Sequence, residues 1–379
     1  MTLMLAEVLR FCAVSDALPE SRWWSFLCSQ QSHAAWAGCT LHDLIQPSFV
    51  FLVGVVLPFS LARRALSGQS PRQIFGHATV RSLALIGLGL FLTGIHPRRP
   101  VWSFIDTLVQ IGLGYPVLFW LARYPPRTRW IAVAVILVGY WLAFALYPLP
   151  GPAFDYAQVG VSDQWLQRFG MTGFSAHWEK NSNLAWACDV WFLNLLPQPK
   201  PFWGQTNGLC TLNFVPQLGT MLLGLWAGEI LRSDRSTTQK VQWLAGAGIV
   251  GLVSGQLLEW LGVCPIVKAI WTPSWVLFSG GWCLLLLALF HVSLDRRTTP
   301  LGQWLIFPFV VVGSNSIIAY AISHLFPTLA WNSVRRVTGP GIFRVFGDAY
   351  EPLLYGAVIL IGYWLVLFGL YERKLFLRI

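Results

Sequence analysis

Charge is scarce in this 379-residue chain: Asp, Glu, Lys and Arg make up 11% of it, against 55% apolar residues. A soluble domain carries about 25% charged residues, so most of this chain is excluded from facing water. Acidic residues are the scarcest, 16 against 26 Lys and Arg. A surplus of +10 would suggest nucleic acid in a soluble protein. Here orientation in a bilayer explains it, and no nucleic-acid partner is expected. The seven cysteines form no CxxC pair and no Cys/His spacing of a zinc site, so no metal is expected. No phosphate-cradling Gly-rich loop is present, which argues against primary active transport by this chain alone. Internal repeats and low-complexity stretches are absent too, and nothing marks off a separable soluble domain: 1–379 reads as one membrane domain. The opening stretch "MTLMLAEVLRFCAV" has neither a basic start nor a small-residue cleavage site and does not read as a signal peptide. Interrupted by Glu7 and Arg10, it looks like the second half of a helix whose first part is missing.

What the chain has in quantity is apolar runs long enough to cross roughly 30 Å of hydrocarbon. They lie near 44–62, 79–95, 102–122, 130–147, 213–231, 241–261, 270–294, 303–325 and 353–372. With the N-terminal run they predict an all-α, polytopic membrane bundle of about ten crossings. Twenty-one Trp and ten Tyr suit the headgroup level of such a bundle. Fifteen basic residues crowd into short alternate loops and a tail: Arg63, Arg64, Arg72 and Arg81; Arg123, Arg127 and Arg129; Arg232, Arg235 and Lys240; Arg296 and Arg297; Arg373, Lys374 and Arg378. The positive-inside rule makes that set cytoplasmic, with the C-terminus inside. Segments 15–43, 148–212 and 326–352 then fall outside, and 148–212, rich in Pro, Trp and Asn, is expected to cap the outer face. Cys28, Cys39, Cys188, Cys210 and Cys264 share that outer side, but spacing assigns no disulfide among them.

Polar side chains inside apolar spans are costly and turn toward a partner or a cavity. Asp43 and Gln46, Asp106 and Gln110, Gln217 and Glu229, Gln256 and Glu259, and Asn315 and Ser316 are of this kind. Asp106 and Gln110, four apart, would share a helical face. Either these groups tie helix to helix, or they line a polar path.

The stretch "HAAWAGCTLHDLIQPSFVFLVG" (33–54) turns from polar to apolar halfway along. His33 and Asp43 lie at the external mouth of a span, separated by a Gly38-containing turn that lets His33 fold back. A carboxylate that fixes an imidazole's tautomer makes it a general base. The alternative, on these residues alone, is a loop histidine beside an aspartate that caps the following helix. His42 reads as a surface residue. In "HWEKNSNLAWACDVWFLNLLP" (177–197), Asn181 and Asn183 are interleaved with Trp178, Trp186 and Trp191. Amides beside aromatic faces suit a sugar; an interfacial amphipathic helix with a Trp belt is the alternative.

The 33–54 stretch resembles the signature segment of the heparan-α-glucosaminide N-acetyltransferase family, through His33, Trp36, Gly38, Thr40, Asp43, Leu44 and Pro47. "LGTMLLGLWAGEIL" (218–231), "KAIWTPSWVLFSGG" (268–281) and "VGSNSIIAYAISHL" (312–325) resemble further family helices in the same order. The resemblance implies a membrane acyltransferase that takes acetyl from cytosolic acetyl-CoA as cosubstrate to an extracytoplasmic amino sugar or glycan, in bacteria across the inner membrane. It implies His33 as base or acyl carrier, Asp43 as the group that holds its ring, and Asn315 and Ser316 as polar liners of the acyl or acceptor path. Trp36 of the signature segment and Asn181 and Asn183 of the 177–197 loop are the other expected substrate contacts. The family's first-helix motif of Asp and Arg has no counterpart here, since the chain starts just after its place. A multi-pass transporter or flippase, and a non-catalytic scaffold, are the competing readings.

Overall fold

The computed structural model describes residues 1–95, 102–295, 300–339 and 341–377. Arg296, Arg297 and Arg378 of the orienting basic set lie outside them. Among the described residues the structure is helical, with no strand and one isolated bridge, Ala37 to Val267. Seven helices among the described residues are long and apolar enough to cross a membrane: His42–Leu66, Arg72–Gly94, Pro126–Ala145, Thr211–Arg232, Thr237–Trp260, Pro273–Ser293 and Asp348–Glu372. The chain is therefore an all-α, multi-pass integral membrane protein.

Two expected spans take another form. The 303–325 run is broken between Gly302–Ser314 and Ser316–Leu325, which bend by 74°. The 102–122 run yields a helix only over Thr107–Leu121, about 22 Å long at 1.5 Å per residue. Asp106 is its N-cap, accepting from the Leu108 amide at 2.8 Å, so it precedes the helix instead of sharing a face with Gln110. Gln110 is buried and donates to the Phe104 and Thr211 carbonyls.

The opening 1–14 stretch is not one half-helix. Thr2–Leu5 runs into a tight 3-10 turn, Ala6–Leu9, and Phe11–Ala17 starts afresh. Between them Arg10 adopts a left-handed backbone, φ 51°. That conformation costs a non-glycine residue about 1 kcal/mol. It places the Arg10 guanidinium 3.6 Å above the Trp331 ring, a cation–π contact that offsets the cost.

Two compact units emerge. One comprises Met1–Ala34, Thr40–Ile45 and Ser293–Ile379; the other, Ala35–Cys39 and Gln46–Val292. In the first, Leu5, Val311, Ala319, Ile359 and Leu367 form the buried core. There Asn315 fills the break in the bent helix pair: its amide donates to Leu375 O at 3.0 Å and accepts from Leu377 N at 3.1 Å.

In the second unit, the Phe214–Arg232 helix is the most enclosed span, with 72% of its apolar window buried. Close backbone contact explains how. A Cβ on Gly224 or Gly228 would overlap the carbonyl oxygen of Phe51 or Val55, and one on Gly54 would overlap that of Met221. Lipid supplies no hydrophobic drive between helices, so small residues four apart that let backbones meet provide the packing. Some of the polar groups on these spans find partners nearby, whereas the fully buried Gln217 amide has no hydrogen-bond partner among the described residues. Arg129 donates to Glu229 at 2.7 Å, and Gln256 to Glu259 at 2.9 Å. Trp36, Tyr140, Phe144 and Trp178 belong to one buried cluster, which ties the 148–212 segment to the Pro126–Ala145 helix.

Gly224→Leu is expected to cost more than about 2 kcal/mol by overpacking against backbone that cannot retreat. Gly246→Leu, at a position with open space around it, is the control. Thermal unfolding of the detergent-solubilised variants checks the difference.

Candidate functional site

The Arg22–Gln31 helix ends at Ser32, whose extended backbone carries the chain out to His33. Asp43 returns on a 3-10 turn, His42–Leu44, that leads into the Ile45–Leu66 helix. The two side chains meet: His33 Nδ1 lies 2.7 Å from Asp43 Oδ1. Asp43 is 1% exposed and His33's side chain 59% exposed, so the carboxylate is enclosed and the ring is reachable.

Asp43 does not cap the helix that follows it. The helix start has no side-chain cap bond, and the carboxylate turns back instead. Its Oδ2 accepts from the backbone amides of Ala34 at 3.0 Å and Thr40 at 3.1 Å. The Thr40 hydroxyl sits 3.0 Å from the same oxygen and 2.7 Å from the Ser32 carbonyl, and its one proton serves either. A carboxylate held by N–H donors is an acceptor toward His33 as well, which places the ring proton on Nδ1. Nε2 is then the nitrogen with a lone pair for chemistry.

His42 is not a surface residue. It is 9% exposed, its Nε2 lies 3.1 Å from Glu7 Oε1, and its ring centroid is 4.6 Å from that of His33. The sequence carries a trace of this pair in Glu7 interrupting an apolar run and His42 beside Asp43. Their separation of 35 residues along the chain hides the contact. Cys12 was equally absent from the outer-side cysteines, yet it forms a disulfide with Cys28. The two short helices Phe11–Ala17 and Arg22–Gln31 pack side by side and bring the sulfurs together. Such a bond fits an oxidising compartment.

The remaining expected contacts lie elsewhere. Trp36 is buried in the second unit and donates its indole N–H to Trp178 O at 3.0 Å. Gly38, at φ 107°, makes the expected turn and donates its amide to Ile266 O. Asn181 and Asn183 are buried. Asn181 bridges the Val159 and Gln205 carbonyls, while Asn183 caps the Leu184–Leu193 helix through Trp186 N and donates to Glu179 O. Their amides hold the 148–212 segment together. Asn315 sits at the helix break described above, in the unit of His33, and Ser316 is half-buried beside it. His33 and Asp43 are thus the pair brought together; Trp36, Asn181 and Asn183 belong to the other unit. No group of three or more His, Cys, Asp or Glu residues suited to a metal occurs among the described residues.

Burial also shapes the charges of the 148–212 segment. It pushes the Glu179 carboxyl up, against hydrogen bonds from the Met171 and Lys180 amides, and pushes the Lys180 ammonium down. Lys180 rests over the Trp165 ring at 4.6 Å. Asp189 is pushed up to about 6 by burial, opposed by its bonds from Thr211.

No family model matches the chain. Two curated relatives match along most of it. One is the heparan-alpha-glucosaminide N-acetyltransferase of Homo sapiens, 23% identical over 345 residues, which cover 80% of this chain and 49% of the relative. The other is the same enzyme of Mus musculus, 21% identical over 409 residues, covering 94% of this chain and 57% of the relative. The chain is a distant relative of these transferases. It spans about half the length of the curated relatives it matches. Their name says that they place an acetyl group on the nitrogen of a heparan α-glucosaminide.

Asp189 gives a test of how the 148–212 segment is built. Its folded pKa lies above the unfolded value of 3.8, so its stabilising contribution is complete below about pH 4 and is lost as pH rises through about 6. Asp189→Asn is expected to flatten the fall in melting temperature over that window, measured by thermal unfolding from pH 4 to 7.

Proposed function

We propose that this chain is a membrane acetyltransferase that moves an acetyl group from acetyl-CoA on the cytoplasmic side to an amine or hydroxyl of an extracytoplasmic sugar. The 2.7 Å contact between His33 Nδ1 and buried Asp43 carries the reading. With its proton on Nδ1, the ring offers Nε2 as a base to the acceptor. As the acceptor nitrogen or oxygen bonds to the acetyl carbon, its proton passes to Nε2, the carbon–sulfur bond breaks, and the thiolate leaves and takes up a proton. In the alternative order Nε2 itself bonds to the acetyl carbon and then yields it to the acceptor. In both, Asp43 stabilises the positive charge that the ring acquires. The relationship to N-acetyltransferases supports the reaction class. The basic loop set supports a cytoplasmic C-terminus, and the Cys12–Cys28 disulfide supports an outer location for His33. In a bacterial cell this corresponds to the inner membrane. Asn315 and Ser316, in the unit of His33, would mark the helix break on the acceptor's path, and Trp36, Asn181 and Asn183 would shape the outer segment of the other unit.

A second reading, transport, draws on one observation, the 74° break at Asn315, because discontinuous spans line the paths of many transporters.

Purified protein in nanodiscs, given radiolabelled acetyl-CoA and glucosamine, distinguishes the two. Transfer by the wild type, lowered at least about 100-fold in His33→Ala, is the expected result. No transfer to glucosamine or to a panel of cell-wall sugars by the folded protein would favour transport.

A further inference from the structure

Asp43 grips His33 by one edge, at Nδ1, and the His33 side chain is 59% exposed. The 3-10 turn that presents Asp43 also presents His42, one residue earlier, whose ring meets that of His33 at 4.6 Å and 55°. An apolar ring would pack there equally well. What a histidine adds is a second hydrogen-bonding edge, and His42 uses it on Glu7, 3.1 Å away.

Glu7 is in turn registered against the His33 segment. Gln31, two residues before His33, donates to Ala6 O and accepts from the Phe11 amide, both at 2.8 Å. It therefore clasps the chain on both sides of Glu7. One residue further on, the Cys12–Cys28 disulfide ties the same two segments, and Cys12 Sγ lies 3.3 Å from the hydroxyl of Ser32, the neighbour of His33. Contacts thus run in a closed circuit from His33 to Asp43, His42, Glu7, Ala6 and Gln31, and back to His33 along the chain. Every member lies in the same compact unit.

We infer that His42, held by Glu7, is a positioning residue for His33: Asp43 sets the edge of the catalytic ring and the Glu7–His42 pair sets its face. The N-terminal turn, Ala6–Leu9, is then part of the reaction machinery and not only an apolar anchor. This rests on the role given to His33 above.

The test uses the full chain in nanodiscs as wild type, Glu7→Ala and His42→Phe. Glu7→Ala removes the acceptor that holds His42 at a half-exposed side chain; His42→Phe keeps a ring against His33 and removes the bond to Glu7. The first readout needs no activity: the rate at which diethyl pyrocarbonate modifies His33, resolved by peptide mass with the disulfide intact. Both variants are expected to change that rate by at least about threefold, because the ring is no longer held in one plane. In the transfer assay kcat is expected to fall about tenfold, with KM held within about twofold. An unchanged modification rate in Glu7→Ala, or an unchanged kcat in a variant of active protein, overturns the inference. A wild type that transfers no acetyl defeats the acetyltransferase reading instead, and the modification rate alone then decides whether Glu7 holds the face of His33.

Discussion

A carboxylate almost wholly removed from solvent, in a loop between a short helix and a membrane span, needs its acceptor sites filled. Asp43 meets that demand with two backbone amides, the Thr40 hydroxyl and the His33 ring. The amides come from Ala34 and Thr40, so the carboxylate also draws together the two ends of the intervening loop. Remove the charge and three things loosen at once: the loop, the start of the span, and the tautomer of the histidine. The 33–43 segment is conformationally tied to its own chemistry.

The lipid environment dictates the rest of the architecture. Without a hydrophobic effect to press helices together, the Phe214–Arg232 span relies on Gly54, Gly224 and Gly228 for backbone contact. Two of the polar groups buried among the spans are met by specific partners, Arg129 by Glu229 and Asn315 by the Leu375 and Leu377 backbone. Asn315 is instructive because its amide occupies the point where the Gly302–Ser314 and Ser316–Leu325 helices part, and it supplies hydrogen bonds to a tail that has no helix of its own there.

Much of this was legible in the sequence because membranes impose a simple code. Length and apolarity located seven spans, with ends within seven residues of those observed, and the four-residue spacing of Gly224 and Gly228 lay within a segment already singled out. The His33–Asp43 pairing was legible as one of two alternatives, since ten residues with a glycine turn permit it but do not compel it. What sequence concealed is long-range or conformational. Arg10 breaks the N-terminal helix through a left-handed backbone that a cation–π contact with Trp331, more than 300 residues away, makes tolerable. His42 read as exposed because its partner, Glu7, lies in that broken segment. Asn181 and Asn183 looked suited to reading a sugar; nothing in their spacing told that their amides bond backbone carbonyls within the same segment.

The most direct measurement is steady-state acetyl transfer by Asp43→Asn, a change that preserves shape while removing the charge that fixes Nδ1–H. If the buried carboxylate orients His33 for transfer, kcat falls by at least about 100-fold and KM stays near that of the wild type. Transfer at the wild-type kcat by a folded Asp43→Asn protein would contradict the central role given to this contact.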